Sequence, residues 1–225
     1  MTTAVIVAAG KSERMGGQID KAFLTLGSKP VIAYSMMAFE ACPDVDAIVL
    51  VVRKEQLIAT RGVAQMFGCH KVTAIVAGGS SRQASVSNGL AACDPDTTIV
   101  CVHDGARPCV KPELISETIK GAKRHGSAVA ATRVTDTVKH VERGQTVTYT
   151  LDRAKIWTVQ TPQTFKFDLL NRALKQAVAE NATFTDEASA VEHIGERVYL
   201  VPTEFPNIKI TVTGDLTVAA LLLGI

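Results

Sequence analysis

Apolar runs of strand length recur from Ala4 to Val134, with helix-patterned stretches between them. "AVIVAA", "PVIAYSMMAFEA", "AIVLVV", "VTAIVA", "TTIVCVHD" and "SAVAATRV" alternate with helical patterns over Glu55–Phe67, "SRQASVSNGLAAC" and "PELISETIKGAKRHG". Runs that are apolar on both faces need cover on both faces, as in the strands of a mostly parallel sheet flanked by helices. The expected fold is α/β and doubly wound. At 225 residues the chain has room for one such domain, spanning 1–225.

The rhythm breaks between Thr135 and Gln160. "TDTVKHVERGQTVTYTLDRAKIWTVQ" predicts two short alternating strands around the "RGQ" turn. Such a hairpin cannot bury its own Val138, Val141, Val147, Tyr149 and Leu151, so it reads as an arm (135–160) that packs on a second subunit or as a solvated excursion. Beyond it, helices are expected over Phe167–Glu180 and Asp186–His193, strands at "RVYLVP" and "NIKITV", and a last helix starting at Gly214 or Asp215.

Composition removes several classes of function. A net charge of +2 with 20% charged residues is too mild for a nucleic-acid or membrane-surface protein, so any basic site must be local. Cys42, Cys69, Cys93, Cys101 and Cys109 are odd in number and lack C-x-x-C spacing, which disfavours a disulfide framework or structural zinc and suits reduced thiols in the cytoplasm. Ala4–Ala9 is too short for a signal or spanning segment, and no other run reaches spanning length.

Ligands of parallel sheets sit at the carboxyl ends of the strands, where this chain concentrates its polar motifs. "AVIVAAGKSERMGGQIDKAF" runs from a strand into a small-residue turn (Ala8, Ala9, Gly10) followed by Lys11, Arg14 and Lys21. It matches neither G-x-G-x-x-G nor G-x-x-x-x-G-K-[ST], yet its backbone donors and cations suit a triphosphate or a sugar phosphate. A surface loop with solvated lysines reads the same way. "AGGSSRQASV" sets glycines and hydroxyls at a helix start, which suits an oxygen-rich ligand or a plain cap. "VHDGARPCV" ends a strand at Asp104, followed by Gly105 and Arg107; Asp104 has the hardness for Mg²⁺ and equally the character of a turn former. His103 reads as structural. Lys209, inside "NIKIT", faces either solvent or a phosphate.

Taken in order, "AAGKSERM…DK", "GGSSRQASV", "HDGARP", "TDTVK", "LDRAKIWTVQTPQTF", "TDEASA" and "NIKIT" closely resemble the 2-C-methyl-D-erythritol 4-phosphate cytidylyltransferase family, from Ala4 to the final helix. The resemblance implies a Rossmann-like nucleotidyltransferase fold and a homodimer joined through the arm. It implies CTP and a polyol phosphate as substrates and Mg²⁺, or another divalent cation, held by Asp104. By the same resemblance the backbone of Ala8, Ala9 and Gly10 contacts the nucleotide, and Arg14, Lys21 and Lys209 engage its phosphates. Gly79 and Ser85 read the cytosine, with Arg82 nearby and Gly105 and Arg107 beside the metal residue. Thr137 and Arg153 reach the second substrate across the dimer, and Thr161 and Thr185 line the crevice.

Two positions depart from the family pattern: Asp20 stands where Pro usually precedes the loop lysine, and Gly105 where Ala usually follows the metal Asp. The first is expected to weaken the pull of Lys21 on phosphate, the second to loosen its turn. Rival readings are a cytidylyltransferase for another polyol phosphate, such as ribitol 5-phosphate, and a nucleotide-binding module without turnover.

Overall fold

The computed structural model describes residues 1–10 and 20–225. In chain order its elements are β1 (Thr2–Ala8), β2 (Thr25–Leu26), β3 (Lys29–Pro30), α1 (Val31–Ala41), β4 (Ala47–Val52), α2 (Leu57–Met66), β5 (Val72–Ala77), α3 (Arg82–Ala91), β6 (Ile99–Asp104) and α4 (Pro112–His125). They continue with β7 (Ser127–Arg133), β8 (Lys139–Val141), β9 (Val147–Thr150), β10 (Trp157–Lys166), α5 (Phe167–Ala179), α6 (Glu187–His193), β11 (Tyr199–Pro202) and α7 (Gly214–Leu223).

Seven strands form the central sheet, in the order β11-β7-β10-β6-β1-β4-β5. All neighbours pair parallel except β10, which runs antiparallel to both β6 and β7. Residues of β4 and β6 are buried throughout, as strands covered on both faces must be. One core layer gathers Ile6, Ile32, Phe39, Leu50 and Ile115, and the opposite layer Val5, Val49, Val86, Val102 and Phe165. The mostly parallel, doubly wound fold expected from the alternation is the one observed, and it is Rossmann-like as the resemblance implied.

Helix α4 shows how sequence sets the layers. Pro112 opens it, where a missing N–H costs nothing, and Leu114, Ile115, Thr118, Ile119 and Ala122 place a buried stripe at helical spacing. Lys123, Arg124 and His125 favour the negative end of the helix dipole, and Gly126, at φ 91°, supplies the left-handed residue that ends it.

Three local readings are corrected or completed. "PVIAYSMMAFEA", an apolar run given no element type, is α1, long enough for three turns and buried at Val31, Ile32, Ala33, Ser35, Met36 and Phe39. "NIKITV" forms no strand: the Ile210 N–H bonds to the Ala106 carbonyl at 2.8 Å, the Asp215 N–H to the Val212 carbonyl at 3.1 Å, and Asp215 Oδ2 accepts from Thr211 and Val212. "QTPQTF", read only as a polar stretch, lies in β10 at the middle of the sheet. The hairpin within 135–160 is present as β8 paired antiparallel with β9, and Val141, Val147 and Tyr149 on it are exposed. Among the described residues no helix is long and apolar enough to cross a membrane.

Candidate active site

Register brings the strand ends together. Val7 lies opposite Asp104, Ala8 opposite Val52, and Val52 opposite Ala77, so β6, β1, β4 and β5 finish along one edge. Gly105 N–H bonds to the Val7 carbonyl and Gly78 N–H to that of Val52, carrying the ladder into the turns. A cavity of about 560 Å³ opens there. Ala8, Ala9, Gly10, Lys21, Gly79, Arg82, Ser85, Asp104 and Lys209 line it, all of them candidates from the sequence.

The glycines in these turns answer to close approach. A Cβ on Gly78 would lie 2.2 Å from that of Ala9 and 2.9 Å from Ser85 Oγ, so the two loops can meet only over glycine. A Cβ on Gly105 would come within 3.1 Å of the Ala8 Cβ. The expected loosening at Gly105 is therefore not what the packing suggests: the turn is pressed against β1. The Ser85 hydroxyl accepts from Gly79 N–H (3.0 Å) and donates to the Ser81 carbonyl (2.8 Å), so it braces the Gly79 turn while Ser81 caps α3.

Asp20 likewise has a structural task. Its Oδ1 caps the short turn Lys21–Phe23 by accepting from Ala22 N–H at 3.1 Å, while its Oδ2 is buried and has no hydrogen-bond partner among the described residues. Burial raises its pKa, opposed by that bond and by Arg53 and Lys21. One oxygen of the carboxylate is thereby committed to the backbone.

At the floor of the cavity three cations converge on one carboxylate. Lys209 Nζ is 2.7 Å from Asp104 Oδ2, Arg107 Nε is 3.5 Å from the same oxygen at ion-pair distance, and Arg82 Nη2 is 3.3 Å from Oδ1. Burial works to raise the Asp104 pKa, but Arg82, Lys209 and Arg107 overcome it and hold the carboxyl well below its ordinary range. Behind the floor, Thr161 Oγ1 accepts the Asp104 backbone N–H at 3.0 Å and lies 3.2 Å from His103 Nδ1. His103 is fully buried, packed near Phe39 with ring centroids 5.1 Å apart, and burial lowers its pKa to about 3. It is structural, as expected.

Glu187, which the sequence reading passed over, belongs to this network. It takes Arg82 in a two-point grip, Nη1 to Oε1 at 2.6 Å and Nη2 to Oε2 at 2.9 Å, and it is 1% exposed. Burial pushes its pKa up, with Arg82 opposing, and the two short contacts require the carboxylate anion. Its spacing was a usable signal: Ala190 and Val191, three and four residues on, are buried apolar positions of α6, so Glu187 shares the inward face.

Several expected residues lie elsewhere. Arg14, with Lys11, lies outside the described residues. Thr161 is 3% exposed and buried behind Asp104 rather than on the cavity wall, and Gly105 and Arg107 also support the floor from behind. Thr185 is exposed off the wall, just before Asp186, whose Oδ1 caps α6 by accepting from Ser189 N–H. Thr137 and Arg153 are exposed on the arm, where Arg153 Nη1 donates to the Thr135 carbonyl at 2.6 Å. Thr161, Thr185, Gly105, Arg107, Thr137 and Arg153 are thus not among the described residues that line the cavity of the single chain.

The donor set limits which metal the site suits. Among the described residues no three His, Cys, Asp or Glu side chains gather as a metal cluster. One ionised carboxylate at a cation-rich cavity of this size fits Mg²⁺, which keeps water and takes other oxygens from phosphates, and does not fit zinc.

Comparison with known proteins converges on one family. A family model described as 2-C-methyl-D-erythritol 4-phosphate cytidylyltransferase matches residues 2–224. The chain is similar to proteins of that name from Pelotomaculum thermopropionicum, at 44% identity over 96% of this chain and 91% of that one, and from Dehalococcoides mccartyi, at 44% over 98% and 95%. Its fold is similar to the crystal structure of 4-diphosphocytidyl-2C-methyl-D-erythritol synthase from Anaerococcus prevotii, with TM-score 0.87 and 28% identity over 100% of this chain and 99% of that one. With that match running almost end to end, the chain belongs to the 2-C-methyl-D-erythritol 4-phosphate cytidylyltransferase family.

Proposed function

We propose that this enzyme transfers the cytidylyl group of CTP to 2-C-methyl-D-erythritol 4-phosphate, giving CDP-methylerythritol and pyrophosphate for isoprenoid precursor synthesis. The observation that carries the reading is the single cavity in which a backbone turn (Ala8–Gly10), two helix-start residues (Gly79, Arg82), Lys21, Asp104 and Lys209 face one another. A phosphate oxygen of the polyol attacks the α-phosphorus of CTP. That P–O bond forms as the bond to the β-phosphate breaks, and the electron pair leaves with pyrophosphate.

A phosphate monoester is largely ionised near neutral pH, its second pKa being about 6, so the attack requires no general base. Catalysis is then positioning plus neutralisation. Lys21, Lys209 and Arg14 meet the phosphates, and the Gly79 turn braced by Ser85 receives the base. Asp104 would hold Mg²⁺, which offsets phosphate charge when bound. Glu187 and Thr161 hold Arg82 and Asp104 in place.

The methylerythritol side of the site is incomplete in one chain, because Thr137 and Arg153 stand on the exposed arm. The homodimer supplies it: exposed Val147 and Tyr149 pair with their copies, and Arg153 enters the partner's crevice. The cytoplasm suits a chain whose five cysteines are all unpaired.

Pyrophosphate release from CTP, measured with 2-C-methyl-D-erythritol 4-phosphate and separately with ribitol 5-phosphate, tests this reading. Turnover is expected to favour the methylerythritol substrate by tenfold or more, on the order of what a few extra contacts supply. Preference for ribitol phosphate would reassign the substrate, and no release with either would leave only a binding module.

A further inference from the structure

The three cations on Asp104 are not equally held. Arg82 is gripped by Glu187 at two points, and Arg107 Nη1 donates to the Asn207 carbonyl at 2.7 Å. Lys209 Nζ has Asp104 Oδ2 as its hydrogen-bonding partner among the described residues. Its side chain is 34% exposed against 12% for Arg107 and 28% for Arg82, and its segment belongs to no helix or strand. A lysine stem is flexible, and its ammonium is a compact point charge that leaves one oxygen for another without geometric penalty.

We propose that Lys209 is an exchangeable counter-cation: it occupies Asp104 Oδ2 in the ligand-free protein and gives that oxygen up to the divalent cation. The inference rests on the transferase reading, in which Asp104 holds the metal. Arg82 stays, because Glu187 neutralises and anchors it, and Arg107 stays, because it is pinned to Asn207. Displaced Lys209 remains on the cavity wall, where the incoming phosphates lie. The exchange keeps a buried carboxylate neutralised before loading, and it frees a phosphate-binding charge only when the metal has arrived. It also opposes binding of the metal alone, because the cation must first displace an ammonium 2.7 Å from its ligand oxygen.

Binding of Mn²⁺ alone to the full chain, followed by electron paramagnetic resonance of the free ion, tests the exchange without turnover. Lys209→Met and Lys209→Gln should each tighten Mn²⁺ binding about tenfold or more, because a charge only a few ångströms away is removed. Asp104→Asn placed in the Lys209→Met protein should abolish the gain. Unchanged affinity in both neutral variants overturns the exchange, and a gain that survives Asp104→Asn overturns it by putting the ion elsewhere. A protein that behaves as expected toward Mn²⁺ yet releases no pyrophosphate would sink the transferase reading alone.

Discussion

Asp104 and Arg153 are both charged residues expected to meet the substrates, and the fold holds them in opposite ways. Asp104 ends a fully buried strand, its backbone fixed by Thr161 and its carboxylate by three cations. Arg153 sits in a short turn of an exposed arm, with one backbone carbonyl as its hydrogen-bond partner. The cavity proposed for the nucleotide is thus organised by the body of one chain. The other side rests on a hairpin whose Val147 (50%) and Tyr149 (53%) leave half their surface open. A network packed on all sides can be ready before its ligand arrives. An exposed two-stranded hairpin has too little buried surface for that, and in the proposed dimer it would become rigid by docking.

The largest effect that sharpens this contrast is expected from Asp104→Asn. The amide keeps the shape and loses the charge, so the metal has no anion and Lys209, Arg107 and Arg82 are left facing one another. Turnover should fall about a hundredfold or more. Unfolding in urea should show a loss of about 3 kcal/mol, as when one partner of a buried ion pair is removed. A variant with near wild-type pyrophosphate release would take Asp104 out of the chemistry.

A smaller effect is expected on the arm. Val147→Glu puts a charge where two copies would meet, while changing a side chain already half exposed within its own chain. The mass measured by sedimentation should drop from two chains to one, and stability of the chain itself should shift by no more than about 0.5 kcal/mol. A Val147→Glu protein that remains dimeric would place the subunit contact elsewhere.

The same contrast explains what could be read from the sequence. Strands β1, β4, β6 and β7 were legible because burial on both faces leaves an apolar run, and the half-buried edge strand β5 by its apolar "VTAIVA". Strand β10 was not: Thr161, Gln163 and Thr164 are buried polar residues whose partners, His103, Asp186 and Thr118, come from distant segments. Pro162 within it is a further mark against a central strand. "NIKITV" misled in the other direction, since Ile208 and Ile210 alternate as a strand would, yet pack under α7 without a ladder. Asp104 announced itself by ending an apolar run at a glycine turn. Glu187 did not, because an acidic residue beside the N-cap Asp186 already has an ordinary role in the helix dipole.

Subunit mixing tests the division of the site between two chains most directly. Lys21→Ala removes a cavity cation from one chain, and Arg153→Ala removes the arm's cation from the other; each variant alone should be nearly inactive. If Arg153 serves the partner's cavity, a mixed dimer holds one site with both lesions and one with neither. Random exchange between equal amounts should then restore about a quarter of wild-type turnover, half the dimers being mixed and each having one intact site. No recovery after verified exchange would contradict the account and assign Arg153 to its own chain or to no site.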